Sequence, residues 1–331
     1  MPGTDPGVPC QRLHVAVLLP CHNEGIAIGR VVRAFRAALP DATVFVFDNN
    51  STDNTITEAR AAGAVVRTET QQGKGHVVRR MFRDIDADYY VMADGDDTYD
   101  AGLAPRLLDI AQRGPYDLVN CVRIETAQEA YRGGHRFGNL MLTGAVRFIF
   151  GNRVQDMLSG YKILSRRFVK SFPALSTGFD IETELAVHAL ELSIPIAHEQ
   201  GSYRGRPPGS ESKLRTYQDG WRILKMILKL IRHERPLAFF GAIGLACAVV
   251  AMALIIPVLL TYLHTGLVPR LPTAVLATGI MLVGALSLTT GIILDTVTRG
   301  RRELRLLAYL SLPAPAVPDE VNASINPDIN A

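Results

Sequence analysis

One tryptophan, four cysteines and no block of like charge mark what this 331-residue sequence does without. The cysteines (Cys10, Cys21, Cys121, Cys247) are scattered, with no CxxC or Cys/His metal spacing. That excludes a zinc site and a disulfide scaffold and fits a reducing compartment. The net charge is only +3, and no Lys/Arg run or aromatic-rich RNA signature appears, so nucleic acid is excluded as a partner. No GxGxxG follows the first apolar run and no GxxxxGK[ST] occurs anywhere; dinucleotide and P-loop readings fail with them. The first residues (MPGTDPGVPCQRLH) lack an apolar h-region, so 1–12 is expected to be a disordered lead rather than a signal peptide. The Pro-, Asn- and Asp-rich stretch from Leu312 onward is likewise expected to be disordered.

What is present is an uneven apolar share, 48% overall and concentrated beyond residue 236. Pro236 to Tyr262 and Leu271 to Leu294 carry no charge, and each exceeds the ~20 residues that cross a bilayer core. Two transmembrane helices, at about 237–262 and 271–294, are therefore expected within 236–295. Gly241, Gly244, Gly279, Gly284 and Gly291 would let them pair closely, and the same surfaces offer a route to a homo-oligomer. Arg232 and Arg235 precede the first span; Arg299, Arg301, Arg302 and Arg305 follow the second; the turn between carries only Arg270. Positive charge stays inside. The expectation is an integral protein of the inner (cytoplasmic) membrane, with residues 13–215 and the tail 296–331 in the cytoplasm. Between them, residues 216–235 place Arg222, Lys225, Lys229 and Arg232 on one face and Trp221, Leu224, Leu228 and Ile231 on another. Such a helix suits the headgroup layer.

Residues 13–215 alternate strand and helix patterns. Apolar runs at His14–Leu19, Thr43–Phe47, Ala64–Arg67, Tyr89–Ala93 and Asp117–Val122 are separated by helical spacing at 26–39, 52–62, 74–86 and 101–113. This predicts an α/β fold, a mostly parallel Rossmann-like sheet with helices on both faces. In such sheets ligands lie at the carboxyl ends of the strands. The polar clusters fall there: His22-Asn23-Glu24, Asp48 to Asp53, and Asp94 to Asp97.

Asp94 and Asp96 are two apart at the mouth of a strand, so both can bear on one cation. Hard oxygen donors suit Mg²⁺ or Mn²⁺, with a diphosphate completing the shell. Asp48 and Asp53 flank an Asn/Ser/Thr turn, where a carboxylate can accept from a ribose hydroxyl or a base N–H; Asp53 also suits a helix N-cap. Glu24 is placed for the same acceptor role. Lys74, within Gly73-Lys74-Gly75, opens a helix and suits a phosphate or a nearby carboxylate. Glu182 and Glu184 begin another helix, where one of them can bond a sugar hydroxyl. The apolar segment Phe137 to Phe150 can touch a lipid chain or pack in the core.

PCHNE at 20–24, FDNNSTD at 47–53, GKG at 73–75 and DGD at 94–96, in that order, resemble the inverting family-2 glycosyltransferases of the A-type (GT-A) fold. Asp156-Met-Leu-Ser-Gly-Tyr161 and Gly209-Ser-Glu-Ser-Lys-Leu214 extend the resemblance to dolichol-phosphate and polyprenol-phosphate glycosyltransferases, over roughly 13–235. The family's metal motif is often Asp-Ala-Asp followed by Leu-Gln; here Asp97-Thr98 follow. The resemblance implies a nucleotide-sugar site containing Pro20, His22, Asn23, Glu24, Asp48, Asn50, Asp53, Lys74 and Asp94. It implies a sugar site with Asp156, Ser159 and Glu182, and acceptor-phosphate contacts from Arg123, Arg136, Arg206 and Lys213. Asp94 and Asp96 hold the metal and, with Arg123 and Arg136, carry catalysis. The expected reaction moves a hexose or related sugar from a GDP- or UDP-sugar to a polyprenyl phosphate. A processive polysaccharide synthase of the same fold would carry more spans and a QxxRW-like motif, neither of which appears. A non-enzymatic membrane scaffold would not need Asp48, Lys74, Asp94 and Asp96 together.

Overall fold

The computed structural model describes residues 13–114, 116–125, 144, 155–178, 180–205, 225, 228 and 231–315. The chain divides into two units, Met1–Asp219 with Arg305–Ala331, and Gly220–Leu304.

The first unit is built on seven strands: β1 Val15–Cys21, β2 Thr43–Asp48, β3 Val65–Thr68, β4 Tyr89–Met92, β5 Leu118–Glu125, β6 Lys162–Ser165 and β7 Ile196–Tyr203. Their order is β3-β2-β1-β4-β6-β5-β7. Strands β3, β2, β1 and β4 pair in parallel. β6 enters antiparallel between β4 and β5, and β7 adds in parallel outside β5. The fifth strand expected at Asp117–Val122 is β5, separated from β4 by β6. β1 continues through Pro20, where the sequence suggested a stop. Pro20 lies beyond Leu18, the last β1 residue in register with β4, so its missing N–H removes nothing from that pairing.

The central strands β1 and β4 are apolar on both faces, as a sheet covered by helices on both sides demands. Val15, Val17 and Leu19 face one layer, with Val31, Val32 and Phe35 of α1 (Ile28–Ala38) and Leu107 of α4 (Ala104–Arg113). Ala16 and Leu18 face the other, with Val78 and Met81 of α3 (Lys74–Asp84), Phe168 of α5 (Arg166–Ser171) and Leu185 of α6 (Ile181–Glu191). A one-residue slip of β1 would exchange both sets. Helix α2 (Thr55–Ala61) follows the β2 turn.

The second unit contains α7 (Pro236–Thr265) and most of α8 (Leu271–Leu310). Within it the two run antiparallel. Gly244 meets the Gly284 carbonyl, Gly291 meets Phe240, Ser287 Oγ donates to the Phe240 carbonyl at 2.9 Å and Thr298 Oγ1 to the His233 carbonyl at 3.2 Å. Of the five glycines expected to pair the helices, Gly241 and Gly279 face open space instead. Both helices are long and apolar enough to cross a membrane. Their side chains are mostly exposed, Leu245, Val249, Leu263 and Leu282 among them, which a core helix of a soluble protein would not be. α8 does not end at 294. It runs on to Leu310, and Arg305–Leu310 belong to the first unit. The amphipathic stretch 216–235 lies mostly outside the described residues; Lys225 and Leu228 within it are helical and exposed.

Candidate active site

Three turns at the carboxyl ends of β1, β2 and β4 form one edge of the first unit. Each carries a residue in the left-handed region: Asn23 (φ 53°), Asn50 (φ 59°) and Asp97 (φ 63°). Asn and Asp tolerate this conformation best among non-glycines, which is why the turns are built from them. The first two turns are stitched together. The Asn23 N–H donates to Ser51 Oγ at 2.8 Å and Asn23 Oδ1 accepts from the Thr52 N–H at 2.8 Å. Asp53 accepts from the Gly25 N–H at 2.9 Å and the Thr55 N–H at 3.0 Å. Burial would raise the Asp53 pKa, but the hydrogen bonds from Thr55 and Gly25 outweigh it and hold the carboxyl below its usual range. Asp53 thus organises the start of α2. Glu24 is buried and its carbonyl accepts from the Ala27 and Ile28 N–H groups as α1 begins. His22 is half-buried on the same turn.

Asp48 is 1% exposed at the end of β2. Its Oδ2 accepts from the Ser51 N–H, while Oδ1 has no partner among the described residues. A buried carboxylate oxygen without a donor is costly, so this atom suits a ligand N–H or hydroxyl. Asn49, which sequence reasoning passed over, joins β2 to the GKG turn. Its amide donates to the Glu69 and Gln71 carbonyls at 2.9 and 2.8 Å, and its oxygen accepts from the Gly73 N–H at 2.7 Å. The neighbouring Asn50 donates to the Thr70 carbonyl at 2.9 Å.

Lys74 is where the site closes. Its ammonium contacts both Asp94 of DGD and Glu182 at the start of α6. Burial would lower the Lys74 pKa; the two carboxylates outweigh it, so the group stays charged well above the ordinary lysine range. Of the two roles open to this lysine, the structure makes it the partner of nearby carboxylates. Gly160 packs against Asp94 so closely that a Cβ there would overlap the carboxylate. Asp96 is buried, and its Oδ1 accepts from Thr98 Oγ1 at 2.6 Å and the Thr98 N–H at 3.2 Å. Thr98 therefore orients Asp96. Asp97 pairs with Arg30 at 3.0 Å.

A second cluster lies at the end of β5. Arg123 is bidentate to Asp156, with Nε–Oδ2 and Nη2–Oδ1 both 2.8 Å, and its guanidinium stacks over Tyr203. Burial opposes both charges, but the pairing prevails: Arg123 is held above and Asp156 below its ordinary range. Asp156 is itself left-handed (φ 48°). Ser159 is fully buried and its Oγ accepts from the Tyr161 N–H at 3.3 Å. Tyr99 Oη accepts from the Gly160 N–H at 2.7 Å and the Tyr99 ring meets those of Tyr161 and Tyr203. Arg136, Arg206 and Lys213, and the segment 137–150 apart from Gly144, lie outside the described residues.

Residues 16–172 match Glycosyl transferase family 2. Glycosyltransferase AglJ of Haloferax volcanii is 32% identical over 87% of this chain and 95% of its own length. The dolichyl-phosphate hexose transferase of the same organism is 30% identical over 67% of this chain and 95% of its own length. The chain belongs to glycosyltransferase family 2. Among solved structures, Mycobacterium tuberculosis glucosyl-3-phosphoglycerate synthase in complex with Mn²⁺ and UDP-glucose superimposes with a TM-score of 0.55 at 21% identity. That match covers 67% of this chain and 78% of the other and establishes the GT-A fold. The sheet, the turns at its carboxyl edge and the family membership agree with the sequence motifs.

Proposed function

We propose that this family-2 glycosyltransferase moves a hexose or related sugar from a GDP- or UDP-sugar to a polyprenyl phosphate at the cytoplasmic face of a membrane. The observation that carries the reading is the coexistence, in one chain, of the Asp94–Lys74–Glu182 site with two exposed apolar helices. The dolichyl-phosphate hexose transferase relative supports the acceptor class. The helices are the anchor that would bring the site to a lipid.

Asp94 and Asp96 would hold Mg²⁺ or Mn²⁺. The donor set fits: both are carboxylates, Asp94 remains partly exposed, and among the described residues no third acidic, His or Cys ligand joins them. Such an incomplete oxygen shell suits a cation that keeps positions for diphosphate oxygens. When bound, the cation would offset the charge of the departing diphosphate. Lys74 holds Asp94 in place. Glu182, whose Oε2 is buried without a partner among the described residues, suits a sugar hydroxyl, and Asp48 a hydroxyl or N–H of the nucleoside. Arg123, fixed by Asp156, offers a guanidinium to the acceptor phosphate, which Arg136, Arg206 and Lys213 would join.

The acceptor phosphate is already an anion, so no general base is required. Its oxygen bonds to the anomeric carbon as the bond from that carbon to the diphosphate oxygen breaks. The nucleoside diphosphate leaves with the electron pair, and the anomeric configuration inverts. The protein's part is positioning and charge compensation. The test is to incubate membranes holding the protein with polyprenyl phosphate, labelled nucleotide-sugars and Mg²⁺ or Mn²⁺. Labelled lipid is expected from one donor, and Asp96→Ala should abolish it while leaving membrane insertion intact. No labelled lipid from any donor would overturn the proposal.

A further inference from the structure

We propose that Lys162 is a positioning residue for the acceptor-side pair Arg123–Asp156, acting through Asn120. The inference rests on the glycosyl-transfer reading above and adds a residue that none of the motifs contains in a named role.

Lys162 opens β6 in the middle of the sheet, in register with Met92 of β4 and Asn120 of β5. It is 1% exposed, and its neighbours Tyr161 and Ile163 are fully buried. Its ammonium donates to Asn120 Oδ1 at 2.6 Å, its one acceptor among the described residues, and a neutral one. A buried ammonium facing a neutral amide is disfavoured, and an apolar residue would serve the sheet better. The fold alone gives no reason for a charge here.

The contacts that follow give one. Asn120 is also 1% exposed. With its oxygen occupied by Lys162, its amide nitrogen faces the other way and donates to the carbonyls of Gln155 at 2.7 Å and Asp156 at 3.1 Å. Those bonds hold Asp156 in its left-handed turn, from which its carboxylate grips the Arg123 side chain and accepts from the Arg123 N–H at 3.1 Å. Lys162, Asn120, Asp156 and Arg123 thus form an unbroken line. The charges acting on the Lys162 ammonium come from both sides of the site: Asp156 and Glu182 favour it, Arg123 and Lys74 oppose it.

Burial lowers the Lys162 pKa to about 8, against the pull of Asp156 and Glu182. As pH rises through that value the ammonium loses its proton, and the line loses the cation that fixes Asn120. The wild-type protein in membranes should then show an alkaline fall in kcat/KM for polyprenyl phosphate near pH 8. Lys162→Gln, which can still donate to Asn120 but carries no charge, should lower kcat/KM for the acceptor ~10- to 100-fold, the range seen when a supporting residue behind a site is lost. It should also erase the alkaline limb and leave nucleoside-diphosphate binding by calorimetry at the wild-type affinity. Asn120→Asp, which sets a carboxylate beside the ammonium, should move the limb to higher pH, and it keeps the test open if Lys162→Gln does not fold. Folded variants that keep the wild-type acceptor kcat/KM and an unshifted limb would overturn the role of Lys162. A wild-type protein that transfers from no donor would instead overturn the reading on which it rests.

Discussion

Gly160 shows at the scale of single residues how tightly Asp94 is specified. The carboxylate is gripped from one side by Lys74 and backed on the other by a glycine with no room for a methyl group. Gly160→Ala should push Asp94 off its position, and small displacements of a reacting constellation cost on the order of 10²-fold in rate. The expected result is that loss in transfer with a thermal midpoint close to wild type, read by kinetics and a melting curve together. Asp156→Asn is the complementary case. It leaves the part-buried Arg123 guanidinium beside a neutral amide, and breaking a buried ion pair costs up to ~3–5 kcal/mol; chemical denaturation should register a loss below that limit. These two residues lie inside a motif visible in the sequence, as do Asp48, Lys74 and Asp94. The contacts are another matter. Lys74 meets Glu182 only because α6 starts opposite the GKG turn, and no local pattern links positions so far apart. Lys162 was passed over because one lysine in an apolar strand resembles an ordinary strand end until its burial is known.

Between elements, the same distinction between local pattern and tertiary contact recurs. β1, β2 and β4 were legible because they are short, mostly buried apolar runs and the helices between them repeat at 3.6. β7 (IAHEQGSY) was not, because it is an edge strand held by β5 alone and only partly covered, so its composition is polar. β6 begins at the buried lysine and was hidden for that reason. The packing of α6 on α5 yields a pH prediction. His188 lies among Phe168 and Phe172, and its Nε2 meets Ser171 Oγ at 3.3 Å. Burial first, and the nearby Arg305 second, lower its pKa to about 4. The unfolded chain therefore binds this proton from about pH 6.5 downward while the folded chain does not, so stability is full near neutrality and falls as the pH drops towards 4. The loss from this group is about 3 kcal/mol at its limit. His188→Gln should flatten the decline in midpoint between pH 7 and 4; an unchanged slope would refute the assignment. The end of α8 makes a further contact within the first unit. Tyr309 Oη donates to Asp117 at 2.6 Å, where Arg167 is already bidentate, and Arg305 contacts Glu191. Tyr309→Phe should cost ~1.5–3 kcal/mol, the range for a hydrogen bond to a charged group, measured by denaturation of the full chain.

For the whole molecule, the decisive question is which side of a membrane the transfer would face, and the connectivity supplies an argument. The chain leaves the first unit after Asp219 and returns to it at Arg305. Between these points two antiparallel helices are joined at Gly266, a left-handed cap (φ 67°) whose N–H donates to the Tyr262 carbonyl at 2.8 Å. A hairpin of two crossings delivers the chain back to the side it left, so residues before 236 and after 294 must share one compartment if both helices span. By the positive-inside rule, Arg299, Arg301 and Arg302 beyond Leu294, against Arg270 alone in the turn, would make that compartment the cytoplasm. With the native cysteines replaced, Leu267→Cys should react with a membrane-impermeant maleimide in intact cells, whereas Ser311→Cys should react only after permeabilisation. The reverse pattern would place the site outside, away from cytoplasmic nucleotide-sugars. Labelling of both positions in intact cells would mean that the two helices do not span as a pair. The first unit could then reach its lipid only from the surface, and the basic amphipathic stretch before residue 236 would have to hold it there unaided.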